Sequence, residues 1–251
     1  MKLAILIVGE YRSFSHCRKT MLFLDQSEID KDIYISTWNQ TNTINSKKWE
    51  NSKSVNVDPI YREVTLDEIY NDINIPIKGV AVNIPKKTKI SPIVNGWILG
   101  FNLVKNSSIH YDYVLVLRPD LFFENNNLVN SYFKSYRPFE NYKMSFGVNF
   151  SHKKNYLDDT IFFSSFDNIE KILDNQNLTE YLNLKYYGTS MHLNNEWHEF
   201  WYDYIVNKNQ LSLRPLPMDT QNVIYRYPLI ENPDFKTLKI KYWNYWNNLL
   251  K

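Results

Sequence analysis

The chain has 251 residues, 43% of them hydrophobic and 22% charged, with a net charge of +2. That length buries a sizeable core, about 70–75% of the unfolded surface, and the near-neutral balance with scattered lysines excludes wholesale nucleic-acid binding. A single cysteine, Cys17, excludes an intrachain disulfide and fits a reducing, cytosolic setting.

The run Leu3-Ala4-Ile5-Leu6-Ile7-Val8 is apolar throughout, which predicts a strand buried on both faces. It breaks at Gly9 into Glu10-Tyr11-Arg12, too soon for a signal-peptide core. No stretch approaches the ~20 apolar residues of a membrane span. A helix is expected from Ser13 to Leu24, with Ser13 as N-cap and Cys17 as a buried structural thiol. Asp32 to Thr37 reads as a second strand ending at Thr37-Trp38-Asn39, and the polar stretch 40–56 reads as a loop. A short helix follows over Leu66–Tyr70, opened by Thr65, and then a third strand over 78–84. Ser91 to Lys105 carries the strongest helical pattern of this half. Ser91 caps it, Pro92 occupies the first turn, and Ile93, Trp97, Phe101 and Val104 fall on one face. Residues 113–118 form the next strand. This β-loop-α-β-α-β order predicts a parallel sheet with right-handed crossovers.

The second half reads differently. Short strands are expected over Met144–Val148 and Thr160–Ser165, with a polar loop from His152 to Asp159 between them. Helices are expected at about 167–174, 178–184 and 194–207, and a late strand over Leu211–Leu216. The tail from Asp234 is basic and aromatic. It predicts a C-terminal helix packed on the body, with contact to an anionic membrane surface as the second reading.

Two strand ends carry the chemistry. A glycine after a buried strand permits a tight turn and close backbone approach, and Arg12 adds a bidentate donor for phosphate. Neither G-x-G-x-x-G nor G-x-x-x-x-G-K-S/T is present, so a dinucleotide fingerprint and a P-loop are excluded. The second end is Arg118-Pro119-Asp120 after Tyr113-Val114-Leu115-Val116-Leu117. Its alternation puts the two charged side chains on one side of the sheet. Asp120 can take ribose hydroxyls or a cation through oxygen. Arg118 can orient that carboxylate or meet phosphate, and a structural Arg–Asp ion pair is the plainer alternative.

In order and spacing these segments resemble a GT-A-type glycosyltransferase of the bacterial and viral surface-glycan group. The family pattern is a strand ending G-x-x-R, then D-I-F-x-x-T-W, then Y-D-x-V-x-R-x-R-x-D. Here the matching segments are Gly9 to Arg12, Asp32-Ile33-Tyr34-Ile35-Ser36-Thr37-Trp38, and Tyr111-Asp112-Tyr113-Val114 leading to Asp120. Asp159-Thr160-Ile161-Phe162-Phe163-Ser164-Ser165 and Asn195-Glu196-Trp197 resemble the later motifs, so the likeness spans most of residues 1–216. Two positions depart from the pattern. Val116 replaces the first arginine of R-x-R-x-D, and the D-x-D signature is reduced to the one carboxylate of Asp120.

The resemblance implies an α/β fold, a GT-A-like, Rossmann-type mixed and mostly parallel sheet flanked by helices. It implies one domain over 1–251, with a nucleotide-sugar half at 1–125 and an acceptor half at 126–251. The activity implied is transfer of a sugar from a nucleotide sugar, such as a UDP-sugar, to a glycan or lipid-linked glycan. A catalytically inactive nucleotide-sugar or carbohydrate-binding protein is the alternative. Gly9, Tyr11, Arg12, Arg118 and Asp120 would hold the donor, with Mn or Mg at Asp120 or arginine in its place as countercharge. Thr37, Trp38 and Asn39 would line the base and ribose pocket, which Asn95 or Trp97 would close. Asp159 is the favoured general base over Asp158, Glu196 and His198, and Glu196 would grip the sugar. The expected setting is the cytoplasm, including the inner face of a membrane, or host cytoplasm for a viral protein.

Overall fold

The computed structural model describes residues 2–11, 14–25, 29–42, 61–73, 75–84, 92–122, 143–146, 161–185, 200–215 and 223–224. Its centre is a seven-stranded sheet built from β1 (Leu3–Gly9), β2 (Lys31–Trp38), β5 (Ile77–Asn83), β6 (Tyr113–Leu117), β8 (Lys143–Phe146), β9 (Ile161–Ser165) and β10 (Ser212–Pro215), in the order β10-β8-β9-β6-β1-β2-β5. The pairs β1–β2, β1–β6, β2–β5 and β8–β10 are parallel, while β9 runs antiparallel to β6 and β8. The fold is therefore α/β, with a mixed, mostly parallel sheet flanked by helices, as expected. Strands from before and after residue 125 join the same sheet. Two small antiparallel pairs accompany it. One joins β3 (Gln40–Asn42) to β4 (Tyr61–Glu63), and the other joins β7 (Leu121–Phe122) to β11 (Val223–Ile224).

Side-chain alternation divides the core in two. Leu3, Ile5 and Ile7 of β1 join Leu115 and Leu117 of β6 and Phe163 of β9 on one face, with Tyr11, Phe14 and Ile69. Ala4, Leu6 and Val8 join Val114, Val116 and Phe162 on the other, beneath Trp97, Phe101 and Trp201. Burial on both faces is what an unbroken apolar strand demands.

Helix α3 (Pro92–Lys105) covers the second face. Its buried stripe is Val94, Trp97, Ile98, Phe101 and Val104. Ile93, expected on that stripe, is instead 37% exposed, because the helix is rotated toward its neighbour Val94. A Cβ on Gly100 would lie 3.0 Å from Leu6 Cδ1, Ser36 Cβ and Val8 Cγ2, and one on Gly96 would lie 3.2 Å from Val8 Cγ1 and 3.6 Å from Trp38 Cζ2. The helix thus runs against the strands, and its N-terminal turn lies over the C-terminal ends of β1 and β2.

The expected helix from Ser13 to Leu24 is broken. It consists of α1 (Phe14–Cys17) and two 3₁₀ turns, Arg18–Thr20 and Leu22–Leu24. Cys17, Met21 and Phe23 are all buried there, a spacing that fits one long helix poorly and follows the core instead. Helix α2 (Leu66–Asp72) starts where expected, with the Thr65 hydroxyl accepting from the Glu68 amide at 3.2 Å. In the second half, α4 (Phe166–Ile172) and α5 (Asn175–Lys185) replace the first two expected helices with shifted bounds, and a helical segment at 200–208 matches the described part of the third, whose residues 194–199 lie outside the described residues. Tyr204–Lys208 of that segment is wound as a π-helix. The basic tail lies outside the described residues.

Candidate donor site at the strand ends

The parallel strands β1, β2, β5 and β6 end along one edge of the sheet, where ligands of open α/β sheets bind. Register sets the neighbours there. Gly9 pairs with Thr37, Ile7 with Leu117, and Trp38 with Asn83. Gly9 has φ +142°, and a Cβ there would stand 3.1 Å from Pro119 Cδ. Its missing side chain is what lets the Arg118-Pro119-Asp120 turn close onto β1. The two strand ends picked out in the sequence are therefore in direct contact.

Arg118 and Asp120 meet side-on. Arg118 Nε donates to Asp120 Oδ1 at 2.8 Å and Nη2 donates to Oδ2 at 2.7 Å. The Asp120 side chain is 1% exposed and that of Arg118 14%. Burial of the pair, with both bonds short, gives the charge-assisted fork its strength.

Beside them, Asn83 locks the end of β2. Its amide donates to Ser36 Oγ at 2.9 Å and to the Thr37 carbonyl at 3.1 Å, while its own carbonyl accepts from the Asn39 amide at 2.8 Å. Thr37 is buried, and its hydroxyl reaches only the Trp38 carbonyl, at 3.5 Å. Strand alternation turns it to the face opposite Trp38. Trp38 is half-buried under Gly96 of α3, and the half-buried Asn95 precedes that glycine. Asn39 is half-buried, and its side-chain oxygen is shielded from solvent without a hydrogen-bond partner. Trp38, Asn39 and Asn95 thus suit a ligand at this edge better than Thr37, which supports the strand from behind.

Tyr11 departs from the expected role. Its ring is buried against Phe14, at a centroid distance of 4.9 Å, and its hydroxyl donates to Asp72 of α2 at 3.1 Å. Burial, reinforced by the Asp72 charge, pushes its pKa well above that of an exposed phenol. Arg62, held by two 2.7 Å bonds to Glu68, donates to the Tyr11 carbonyl at 3.2 Å. Tyr11 therefore anchors the loop after β1 to α2 and turns its side chain away from the strand ends. Arg12 next to it lies outside the described residues, as do Asp158, Asp159, Glu196 and His198.

The sequence pointed to Gly9, Trp38, Arg118 and Asp120 but missed three residues that shape the edge. Gly96 admits Trp38, and Asn83 splints β2. Glu10 follows Gly9 with one carboxylate oxygen shielded from solvent. The four-residue spacing of Gly96 and Gly100 in α3 was the readable signal for close helix–sheet approach. Nothing in the local sequence of Asn83 marks its role.

A divalent cation held by Asp120 fits this geometry poorly. Both carboxylate oxygens accept from Arg118, and among the described residues no group of three or more His, Cys, Asp or Glu is placed to share an ion.

No protein-family model and no curated protein matches the chain. Among solved structures, it is similar to the catalytic domain of Drosophila beta1,4galactosyltransferase 7 in complex with xylobiose, at 11% identity and a TM-score of 0.44, over 88% of this chain and 67% of that one. It is also similar to a mutant of that enzyme in complex with manganese, UDP-Gal and xylobiose, at 14% identity and a TM-score of 0.42, over the same shares of the two chains.

Proposed function

We propose that this chain is a glycosyltransferase that moves a sugar from a nucleotide-sugar donor to a glycan or lipid-linked glycan acceptor. The observation that carries the reading is the contact of Gly9 with Pro119. It joins the two motif-bearing strand ends at the ligand edge of the sheet, with Trp38 and the first turn of α3 beside them. In such a transfer the bond from the anomeric carbon to the diphosphate breaks and the leaving oxygen keeps the electron pair. The acceptor oxygen bonds to that carbon and gives its proton to a base. The residues at this edge are suited to the first task. The Arg118 guanidinium, pre-aimed by Asp120, offers fixed positive charge where the diphosphate gathers negative charge. Arg12 would add to it, and Asp159 and Glu196 are the proposed base and sugar-gripping residue. Trp38 offers a flat face for a base or sugar. The setting that goes with this reading is the cytoplasm, including the inner face of a membrane, or host cytoplasm for a viral protein.

A thermal-shift panel of nucleoside diphosphates and nucleotide sugars, followed by a donor hydrolysis assay, tests this reading. A ligand that binds only the native state raises apparent stability by mass action. Stabilisation by one nucleotide family, with slow release of nucleoside diphosphate from its sugar, is the expected result. Stabilisation without any turnover would favour the second reading, a nucleotide-sugar-binding protein. That reading draws on the same ion pair, which keeps the Asp120 carboxylate from acting as a base. The absence of any nucleotide effect would reject both.

A further inference from the structure

We propose that Arg62 is a positioning residue for the donor site, holding the backbone of the loop after β1 in the shape that a nucleotide's diphosphate meets. The inference rests on the donor site proposed above and adds how the segment Gly9-Glu10-Tyr11 is held. Arg62 lies on β4, outside the main sheet, yet its Nη2 donates to the Tyr11 carbonyl at 3.2 Å. The same Nη2 donates to Glu68 Oε1 and Nη1 donates to Oε2, both at 2.7 Å, and Nη1 also donates to the Glu63 carbonyl at 3.3 Å. The two-pronged contact with Glu68 fixes the plane of the guanidinium, and the bond to Tyr11 passes that fixed position to the loop. Asp72, from the same helix as Glu68, accepts from the Tyr11 hydroxyl at 3.1 Å. The backbone and the side chain of one loop residue are thus both held by β4 and α2. That unit is itself tied to the end of β2. The Val64 amide donates to the Asn39 carbonyl at 2.9 Å, and Val64 and Ile69 enter the first core with Tyr11.

Gly9 makes such a clamp useful. At φ +142° it turns the chain in a direction that an ordinary residue resists, and a glycine holds no conformation by itself. Pro119 bounds the loop on one side, 3.1 Å from where a Gly9 Cβ would stand, and Arg62 and Asp72 hold it from the other. A loop fixed before the ligand arrives spares the ligand its ordering cost. Stability explains the arrangement less well. The side chains of Arg62 and Glu68 are 37% and 29% exposed, and ion pairs so open to solvent add little to folding. Glu68 balances the charge of Arg62, so what Arg62 supplies to the site is geometry and not attraction. In the sequence, the clamped residue immediately precedes Arg12, the arginine proposed for the diphosphate.

Amide relaxation by NMR on the full chain, without ligand, reads the loop directly. The order parameters of Glu10 and Tyr11 should stand at about 0.85 in the wild type and fall below about 0.6 in Arg62→Ala, while those of Leu3 to Ile7 stay unchanged. Unchanged order at Glu10 and Tyr11 overturns the proposal.

Calorimetric titration with UDP, GDP, CDP and ADP supplies the second arm. The nucleotide that binds the wild type should bind folded Arg62→Ala about tenfold more weakly, a loss of about 1.4 kcal/mol, while the matching nucleoside binds within about twofold of the wild type. A merely structural role would lower the denaturation midpoint and leave loop order and diphosphate affinity as they were, and that result counts against the proposal, as does an equal loss for nucleoside and diphosphate. If Arg62→Ala fails to fold, Glu68→Gln, which breaks the fork and keeps Arg62, carries both measurements with the same expected direction and the same overturning results. If no nucleotide binds the wild type, the donor-site reading fails, and the order parameters still decide whether Arg62 holds the loop.

Discussion

Tyr111 donates its hydroxyl to Asp32 at 2.7 Å and, on its other side, lies 2.7 Å from the hydroxyl of Tyr34. Its single proton goes to the carboxylate, so Tyr34 is the donor to Tyr111. Lys2 adds its Nζ to Asp32 at 3.3 Å and its backbone amide to Asp112 at 2.6 Å. All of these groups lie where β1, β2 and β6 begin, at the edge opposite the candidate site. Asp32, Tyr111 and Asp112 belong to the segments that gave the sequence its family likeness, yet here they tie strands together.

Tyr111→Phe should therefore cost stability and spare ligand binding. It removes one charge-assisted bond and one neutral bond and leaves the Tyr34 hydroxyl without its acceptor, a loss of about 2–3 kcal/mol. Chemical denaturation should show a lower midpoint with an unchanged slope. The thermal shift caused by nucleotide should persist. Loss of nucleotide response in a folded Tyr111→Phe protein would place that hydroxyl in the site instead.

Gly9→Ala should damage both stability and the site. Its φ of +142° is a conformation that an L side chain adopts only under strain, and the added Cβ would press on Pro119 at 3.1 Å. We expect a cost of about 1–3 kcal/mol. A double-mutant cycle separates the two causes, because Pro119→Ala removes the ring but not the strain. Coupling of about 0.5 kcal/mol or more between the two changes is expected for residues in contact. Strict additivity in denaturation measurements would show that the strand ends do not lean on each other.

Much of this arrangement was legible from local pattern, and its limits are physical. The unbroken apolar runs at Leu3–Val8 and Tyr113–Leu117 gave central strands, because only burial on both faces tolerates them. The Arg118–Asp120 alternation placed both charges on one side, and the ion pair was foreseeable as one of two outcomes. What the sequence withheld was tertiary. Tyr11 follows a glycine at a strand end, as a ligand-binding residue would, but Asp72, sixty-one positions away, captures its hydroxyl. Thr37 and Trp38 are neighbours in sequence, and strand alternation sends them to opposite faces. The helix expected from Ser13 broke because Cys17, Met21 and Phe23 all had core positions to fill.

The Gly96 and Gly100 pair offers a graded test of helix–sheet approach. Gly100→Ala forces three contacts at 3.0 Å with Leu6, Ser36 and Val8, of which one is a strand Cβ that cannot swing aside. Overpacking of this kind costs about 1–3 kcal/mol. Gly96→Ala meets Val8 at 3.2 Å and Trp38 at 3.6 Å, an easier fit. It should cost less stability than Gly100→Ala but reduce nucleotide affinity more, because it bears on Trp38 at the ligand edge. The opposite ranking in melting and titration experiments would move the site away from the first turn of α3.

Alkaline pH should unfold this protein through its buried phenols. Burial pushes the Tyr204 pKa up to about 12 from 10.0, and it raises Tyr11 and Tyr111 further still. The folded chain then holds protons that the unfolded chain has released once pH exceeds 10. Unfolding stability depends on pH as the protons bound unfolded minus those bound folded, so the slope is negative above pH 10. The contribution of Tyr204 is fully present below pH 10 and is lost as pH rises toward 12, about 3 kcal/mol in all for a two-unit shift. Urea denaturation at pH 8, 10 and 11 measures it. Tyr204→Phe should flatten part of the decline between pH 10 and 11 while leaving the part that belongs to Tyr11 and Tyr111. An unchanged slope in Tyr204→Phe would mean that its phenol reaches solvent before it ionises.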